Sequence, residues 1–456
     1  MEFDRTIFKA YDVRGIYPGQ INEAAVKRIA QAYAAFLKPK VVAVGRDVRT
    51  SGPVLQKAVI DGLIEAGVNV VDIGVGSTDS LYFAVGYYHY DGGIQVSASH
   101  NPAEYNGLKI IAAGAAAISG DTGLKEIQAL ATGNQDLSGE NEGEVHSRDI
   151  SEDYLDFLAT FTDFETLTTL KLVANNNFGA TGAFVEKLID RLGMSEAIEL
   201  IKLNFEPDGS FPKGRPDPLI PENRAETSQL VINSGADMAV AWDADGDRCY
   251  IADENGLFIE GCHLTALLAG HLLQKHPGEK IIYEPRNIWA AEETIKANGG
   301  VPVLNKTGHG FIKNRMKSED ALFAGEMSGH FYFRDFFFAD NGIIPFLLML
   351  NIIAANPGKK VSEIARTLRD KYFVSGEINF KVTDVPTALA EIEKKYQDGV
   401  IDRTDGLSVS FGTWRFNLRS SNTEPLLRLN VEAKDNEQLC SEKSAELRQL
   451  IETFAS

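Results

Sequence analysis

The feature that most constrains this fold is a plan that recurs three times along the chain. A short apolar strand is followed by a polar loop, an amphipathic helix, a glycine and a second apolar strand. The plan runs through "VVAVGRDVRTSGPVLQKAVIDGLIEAGVNVVDIG" from Val41, "KLVANNNFGATGAFVEKLIDRLG" from Lys171 and "KIIYEPRNIWAAEETIKANGGVPVLN" from Lys280. Gly67, Gly193 and Gly299 fall where a helix ends in a left-handed residue, a position glycine takes without steric cost. Strand–helix–strand units of this length cross over right-handedly and build mainly parallel sheets. More than a hundred residues separate successive units, too many for a solenoid repeat, so the chain reads as three related α/β domains. From about Gly376 the pattern changes to closely spaced strands, "EINFKV", "LSVSF", "WRFNLR" and "LLRLNVEA". Helices around Thr387–Lys395 and Asn436–Phe454 flank them. That is the signature of an α+β domain with an antiparallel sheet. The expected fold class is α/β, three related α/β domains with mixed, mainly parallel sheets plus a C-terminal α+β domain. The expected boundaries are 1–146, 147–248, 249–368 and 369–456.

A chain of 456 residues exceeds one ordinary core, in keeping with several domains. Its formal charge of −19 argues against nucleic acid or an anionic membrane as partner. A small phosphorylated ligand stays open, since it needs only a local set of guanidinium, ammonium and backbone N–H donors. Cys249, Cys262 and Cys440 show no metal or redox spacing, which fits a reducing compartment. No apolar secretory segment follows Met1. The most apolar stretch, Gly342 to Pro357, is interrupted by Pro345 and Asn351. It is too short to span a bilayer and reads as a buried helix with proline in its first turn. A cytoplasmic location is expected.

Four short runs carry chemistry. In "GGIQVSASHNPAEYNGLKI" an apolar strand stops at Val96, and Ser97, Ala98, Ser99, His100 and Asn101 follow before Pro102. A plain turn accounts for these residue types; so does a nucleophile at a strand end, where α/β proteins place their chemistry. In "AWDADGDR", Asp243, Asp245 and Asp247 alternate after a second apolar strand. Hard carboxylate oxygens without Cys or His nearby suit Mg²⁺. Glu254 stands at the twelfth position from Asp243, as in a calcium loop, but Arg248 occupies the position of the turn glycine and the flanks read as strands. An acidic turn exposed to water is the bland alternative. In "FAGEMSGHFYF", Glu326, Ser328 and His330 offer hydrogen bonds for vicinal hydroxyls, or form a glycine-rich connection. In "NLRSSNTEP", Arg419, Ser421, Asn422 and Thr423 match a phosphate's oxygens, or make a polar turn between strands. "FKAYDVRG", "GRDVRTSG" and "NKTGHGFIK" add Tyr11, Arg14, His309 and further basic groups. A nucleophile, a hard-metal site, a hydroxyl reader and a phosphate reader together ask for phosphoryl transfer on a sugar. Ser99 is not in a G-x-S-x-G elbow, so a serine hydrolase is disfavoured.

With "SASHNP", "DADGDR", "GEMSGH" and "RSSNTEP" in this order, the chain resembles the α-D-phosphohexomutase superfamily, most closely its bacterial phosphomannomutase/phosphoglucomutase branch. The resemblance runs from "FKAYDVRG" to "RSSNTEP", nearly the whole sequence. It implies four domains around a central cleft, with Ser99 stored as a phosphoserine. Asp243, Asp245 and Asp247 would bind Mg²⁺, with Ser99 completing the site. Arg248 would reach the same phosphate. The implied reaction passes the phosphoryl group to a hexose phosphate, forms a hexose 1,6-bisphosphate, which also serves as activator, and returns the other phosphate to Ser99. Glu326 and Ser328 would read hydroxyls, and Arg419, Ser421, Asn422 and Thr423 the distal phosphate. Lys109, His330, Arg14 and His100 are the candidates near the transferred proton, although a guanidinium is a charge stabiliser rather than a base. Tyr11, Arg286 and His309 match positions lining the substrate site. Arg286 stands where bifunctional members carry lysine. "GEMSGH" resembles the mannose/glucose branch and implies interconversion of mannose 6-phosphate and mannose 1-phosphate, with glucose phosphates as co-substrates. Phosphoglucomutase and phosphoglucosamine mutase are the alternatives. A Mg²⁺-dependent sugar phosphatase and a silent sugar-phosphate binder are the more remote ones.

Overall fold

The computed structural model describes residues 4–164, 167–382, 384–420 and 426–454. They form two compact units, one made of residues 1–258 and 329–361, the other of residues 259–328 and 362–456. The three repeated segments fold as the sequence dictates. Val41–Arg46 pairs parallel to Asn69–Val75, Leu170–Asn175 to Ile198–Leu203, and Lys280–Tyr283 to Val301–Leu304. The intervening helices stop where expected, and Gly67, Gly193 and Gly299 have φ of 84°, 67° and 74°.

In the first unit one sheet runs in the order Val13–Ile16, Tyr105–Ala112, Gly92–Val96, Val41–Arg46, Asn69–Val75, Val145–Ser147. Gly92–Val96 lies parallel to Val41–Arg46 and antiparallel to Tyr105–Ala112. Every residue of Gly92–Val96 is buried, so its short apolar run is a central strand and its C-terminal end is held firmly. A second sheet has the order Cys249–Asp253, Met238–Trp242, Leu170–Asn175, Ile198–Leu203. Met238–Trp242 is again wholly buried and pairs parallel to Leu170–Asn175. Its hairpin partner Cys249–Asp253 returns antiparallel. Ser99 and the three aspartates therefore both follow the C-terminal ends of buried parallel strands, where α/β sheets place their ligands. The apolar stretch after Gly342 is the helix Ile344–Ala354, with proline in its first turn and no exposed residue before Ala354. No helix among the described residues is long and apolar enough to cross a membrane.

In the second unit Lys280–Tyr283 lies between Val301–Leu304 and Phe323–Gly325, parallel to both. The tail forms a fully antiparallel sheet ordered Tyr372–Val374, Leu427–Lys434, Trp414–Ser420, Leu407–Ser410, Val400–Asp402, with Ile378–Phe380 also on Leu427–Lys434. Helix Glu437–Glu452 starts at Asn436, whose side chain accepts the Leu439 N–H. Leu447 and Ile451 bury its apolar stripe against Phe416, Leu429 and Val431. The edge strands Tyr372–Val374 and Val400–Asp402 escape sequence reading, being three residues each and partly exposed.

Candidate active site

In the first unit the residues after the two buried strands meet. Ser99 has φ 51°, a left-handed conformation, and this turn carries its Oγ to within 3.1 Å of Asp243 Oδ2 and 3.1 Å of His100 Nδ1. Its own N–H donates to Ser97 Oγ (2.9 Å), and Ser97 Oγ donates on to Asp245 Oδ2 (3.2 Å). Thr78, at the start of helix Thr78–Tyr87, donates its hydroxyl to the same Asp245 oxygen (2.6 Å) and its N–H to the Asp245 carbonyl (2.7 Å). Lys109 lies opposite Gln95 on the neighbouring strand. That register aims its ammonium at the aspartates, 2.6 Å from Asp245 Oδ2 and bonded to Asp247 Oδ2.

Asp243, Asp245 and Asp247 are all buried, and one oxygen from each lies within 4.8 Å of the others. The turn needs Gly246, whose φ is 72° and whose added Cβ would fall 2.0 Å from Thr181 Oγ1. Burial, and then Asp245 and Asp247, push the Asp243 carboxyl well above the usual carboxylate range. Burial acts the same way on Asp247, but Lys109, His330 and Arg248 outweigh it and hold that group well below the range. Asp245 Oδ1 and Asp247 Oδ1 are buried without a hydrogen-bond donor. Three crowded carboxylates with orphaned oxygens and a purely oxygen donor set fit a hard divalent cation such as Mg²⁺.

Arginine and histidine side chains surround the same spot. Arg248 Nε lies 3.5 Å from Asp243 Oδ2 and 3.3 Å from His330 Nε2, and His330 Nε2 lies 3.6 Å from Asp247 Oδ1. Arg14 donates to Asn101 Oδ1 (2.7 Å) and the Ala98 carbonyl (3.3 Å) while paired with Asp12. Half-buried Tyr11 lies in the loop leading to the strand that bears Arg14. Burial, Arg248, Arg14 and Arg215 drive the His100 pKa well below that of a free imidazole, so it is neutral beside Ser99. Burial pulls the Lys109 pKa down, but Asp245, Asp247 and Asp340 overcome it and keep the ammonium charged far above its usual range.

The second unit gathers the sugar- and phosphate-reading candidates. Glu326 Oε1 accepts the Gly308 N–H (2.9 Å), and Ser328 Oγ donates to Oε2 (3.4 Å). Gly308 precedes His309, the first residue of helix His309–Glu319. Thr307 Oγ1 donates to buried Glu284 (2.9 Å), which also takes the Met327 N–H (3.0 Å) and Arg286 Nε (2.6 Å). Arg286, Arg419 and Arg428 then converge on Glu377 at 3.5, 3.3 and 3.3 Å. Burial raises the Glu377 pKa, but the three guanidiniums outweigh it and hold the carboxylate ionised. Glu284 and Glu377 thus brace Arg286 and Arg419 in place. Ser421, Asn422 and Thr423 lie outside the described residues.

Little in the sequence singles out Thr78, Arg215, Asp217, Glu284, Asp340 or Glu377, which the fold brings to these two clusters. Arg215 donates to the His100 carbonyl (3.2 Å) and pairs with Asp217 (3.2 Å), while His330 faces Asp340 at 4.0 Å. Each is a lone polar residue in an unremarkable stretch. The only signal was "GRPDP", an arginine and an aspartate fixed by two prolines.

Comparison with known proteins matches four models along the chain. Domain I of phosphoglucomutase/phosphomannomutase, an alpha/beta/alpha domain, matches residues 5–137, domain II residues 152–256, domain III residues 260–372 and the C-terminal domain residues 377–449. A phosphomannomutase of Salmonella montevideo is 45% identical over 451 residues, covering 98% of this chain and 99% of the relative. A Xanthomonas campestris protein described as phosphohexose mutases is 44% identical over 446 residues, 97% and 98% of the two chains. The crystal structure of a phosphoglucomutase/phosphomannomutase family protein from Burkholderia thailandensis superposes with a TM-score of 0.87 at 29% identity, covering 100% and 99%. The chain therefore belongs to the phosphoglucomutase/phosphomannomutase family, and is a phosphohexomutase, an isomerase that moves a phosphoryl group within a sugar phosphate.

Proposed function

We propose that the protein is a phosphomannomutase that interconverts mannose 6-phosphate and mannose 1-phosphate through a phosphoserine at Ser99 and a hexose 1,6-bisphosphate, and that it also accepts glucose phosphates. The observation that carries this reading is the Ser99 hydroxyl, 3.1 Å from a carboxylate of a buried three-aspartate cluster and 3.1 Å from a neutral imidazole.

In the first half-reaction a free hydroxyl of the bound hexose phosphate attacks the phosphorus on Ser99. The bond from phosphorus to Ser99 Oγ breaks as the new P–O bond forms. The hydroxyl's proton passes to a base, and Ser99 Oγ regains one. In the second half the serine hydroxyl attacks the other phosphate of the bisphosphate, and the isomerised monophosphate leaves. His100 Nδ1, 3.1 Å from Ser99 Oγ, would hold that proton in both halves, and its lowered pKa supports this by keeping the ring neutral and able to accept. Lys109 stays charged and neutralises the aspartates rather than acting as a base. Arg14, Arg248 and His330 supply donors for the oxygens of a phosphoryl group on Ser99. Asp243, Asp245 and Asp247, with Ser99, would hold Mg²⁺, which when bound offsets charge on the phosphoryl group. Glu326, Ser328 and His309 would read hydroxyls shared by mannose and glucose. Arg419 and Arg286, with Ser421, Asn422 and Thr423, would take the non-reacting phosphate, and Tyr11 would line the sugar.

The experiment is turnover of mannose 1-phosphate, glucose 1-phosphate and glucosamine 1-phosphate with Mg²⁺ and a hexose bisphosphate primer, beside Ser99→Ala. Mannose 1-phosphate isomerised fastest, and lost in Ser99→Ala, is the expected result. A faster glucosamine substrate would move the reading to phosphoglucosamine mutase. Release of inorganic phosphate alone would make the protein a phosphatase, and no turnover a silent binder.

A further inference from the structure

The segment "GRDVRTSG" packs against the main chain of the Ser99 turn. Its Arg49 has no exposed surface. A buried guanidinium is costly unless every donor is satisfied, and here all five are. Nε pairs with Asp47 Oδ2 (3.2 Å). Nη1 donates to the carbonyls of Pro102 (2.7 Å) and Tyr105 (2.9 Å), and Nη2 to those of Ser99 (2.6 Å) and Asn101 (2.7 Å). Four of the five bonds thus go to main-chain oxygens of the single turn that begins at Ser99. The fork is itself anchored. Asp47 Oδ1 accepts the Arg49 N–H (2.9 Å), and the Asp47 N–H donates to the carbonyl of Val96, the last residue of the strand before Ser97. The Phe211 ring lies 5.0 Å from the guanidinium carbon on one side. Gly209 bridges Arg49 along the backbone, where an added Cβ would fall 2.1 Å from the Val48 carbonyl.

A left-handed serine is sterically strained and persists only where its surroundings over-determine it. We propose that Arg49 is the positioning residue for phosphoryl transfer: its planar fork locks the Ser99 turn in the left-handed conformation that points Oγ at Asp243 and His100. This rests on Ser99 as the phosphoryl carrier. Lysine has one ammonium with three tetrahedral donors and cannot span four carbonyls in a plane. Arg49→Lys keeps the charge and loses the alignment.

The test measures kcat and KM for mannose 1-phosphate, with Mg²⁺ and a hexose bisphosphate primer, in wild type, Arg49→Lys and Arg49→Ala. Misplacement of a reacting group by about 1 Å costs on the order of 10²-fold. The expected result is a fall in kcat of about that size in Arg49→Lys, with KM within about threefold of wild type because Glu326, Ser328 and Arg419 are untouched. Added methylguanidinium should restore Arg49→Ala at least in part and leave wild type unchanged. A folded Arg49→Lys with wild-type kcat, or kcat and KM changing together without rescue, would overturn the proposal. Should neither variant fold, nuclear magnetic resonance of the wild-type side chain decides. Separate, slowly exchanging Nη proton signals for Arg49 support the clamp, and one averaged, fast-exchanging signal refutes it. Turnover that survives Ser99→Ala would overturn the phosphoserine reading and this inference with it; Ser99-dependent turnover indifferent to Arg49→Lys overturns this inference alone.

Discussion

Replacing Lys109 with methionine isolates the electrostatics of the aspartate cluster. Lys109 Nζ is buried, 2.6 Å from Asp245 Oδ2 and bonded to Asp247, and both carboxylates are almost inaccessible. Methionine fills a similar volume without charge, so the variant leaves buried carboxylates with no cation between them. Breaking a buried pair in this way costs about 3–5 kcal/mol, far more than the net worth of the intact pair. At roughly 2 °C per kcal/mol for a unit of this size, Tm in EDTA should fall by about 6–10 °C at neutral pH. The pH dependence gives a second handle. Asp247 is held low in the fold, so the stability it contributes is present above the unfolded carboxylate pKa, about 3.9, and is lost as pH falls below that value. Lys109 is held high, so its share is present at all pH below about 10.4 and is lost only as pH rises beyond the folded value. The wild-type advantage over Lys109→Met should therefore be full at pH 7 and shrink on acidification, as the unpaired carboxylates of the variant take up protons that the folded wild type does not bind. Saturating Mg²⁺ should also narrow it, because a divalent cation supplies the missing positive charge. Differential scanning calorimetry across pH, with and without Mg²⁺, measures all three. Equal Tm values in EDTA at pH 7 would refute the reasoning, as would a gap that widens on acidification.

Other outcomes follow from the same geometry. Mg²⁺ at about a hundred times its Kd should stabilise the wild type by about 2.7 kcal/mol, and Asp245→Asn should lose most of that gain in a thermal-shift titration. Gly246→Ala must place a Cβ against Thr181 in a left-handed turn; a loss of Mg²⁺ affinity of at least tenfold by calorimetric titration is expected, and unchanged affinity would argue against the turn's role. The depressed His100 pKa means that the unfolded chain gains its proton first, so His100 lowers stability as pH falls below about 6.5, and its ring signals should stay those of neutral imidazole at pH 6. Trp242→Phe removes the indole N–H that donates to the buried Gly342 carbonyl at 2.8 Å and should cost about 1–3 kcal/mol in denaturant unfolding.

Much of this was legible in the sequence because the decisive signals are contiguous. The three strand–helix–strand units announce themselves by period, glycine stops and length, and the structure places their strands parallel. Ser99, the aspartates, Glu326 and Ser328 could be singled out because each lies in a run of chemistry-bearing residues just past a strand. Arg49, Asp217, Glu284 and Glu377 could not. Each is one charged residue whose role depends on which loop the fold brings against it, and charged residues elsewhere in a chain are mostly solvated. Arg49 lies fifty residues from the carbonyl of Ser99 that it binds, with no local pattern linking them. The direction of protonation was equally hidden. Lys109 is one of four candidates near the transferred proton in the sequence, and only the fold brings in the two carboxylates that raise its pKa.

The central claim is that Ser99 carries the phosphoryl group. Protein labelled with hexose 1,6-bisphosphate bearing ³²P would be digested to locate the label, then chased in a quenched-flow mixer with unlabelled mannose 6-phosphate. The account predicts label on the Ser99 peptide, discharged to sugar at least as fast as steady-state turnover. Label on any other residue, discharge slower than turnover, or loss of the label as inorganic phosphate would contradict it.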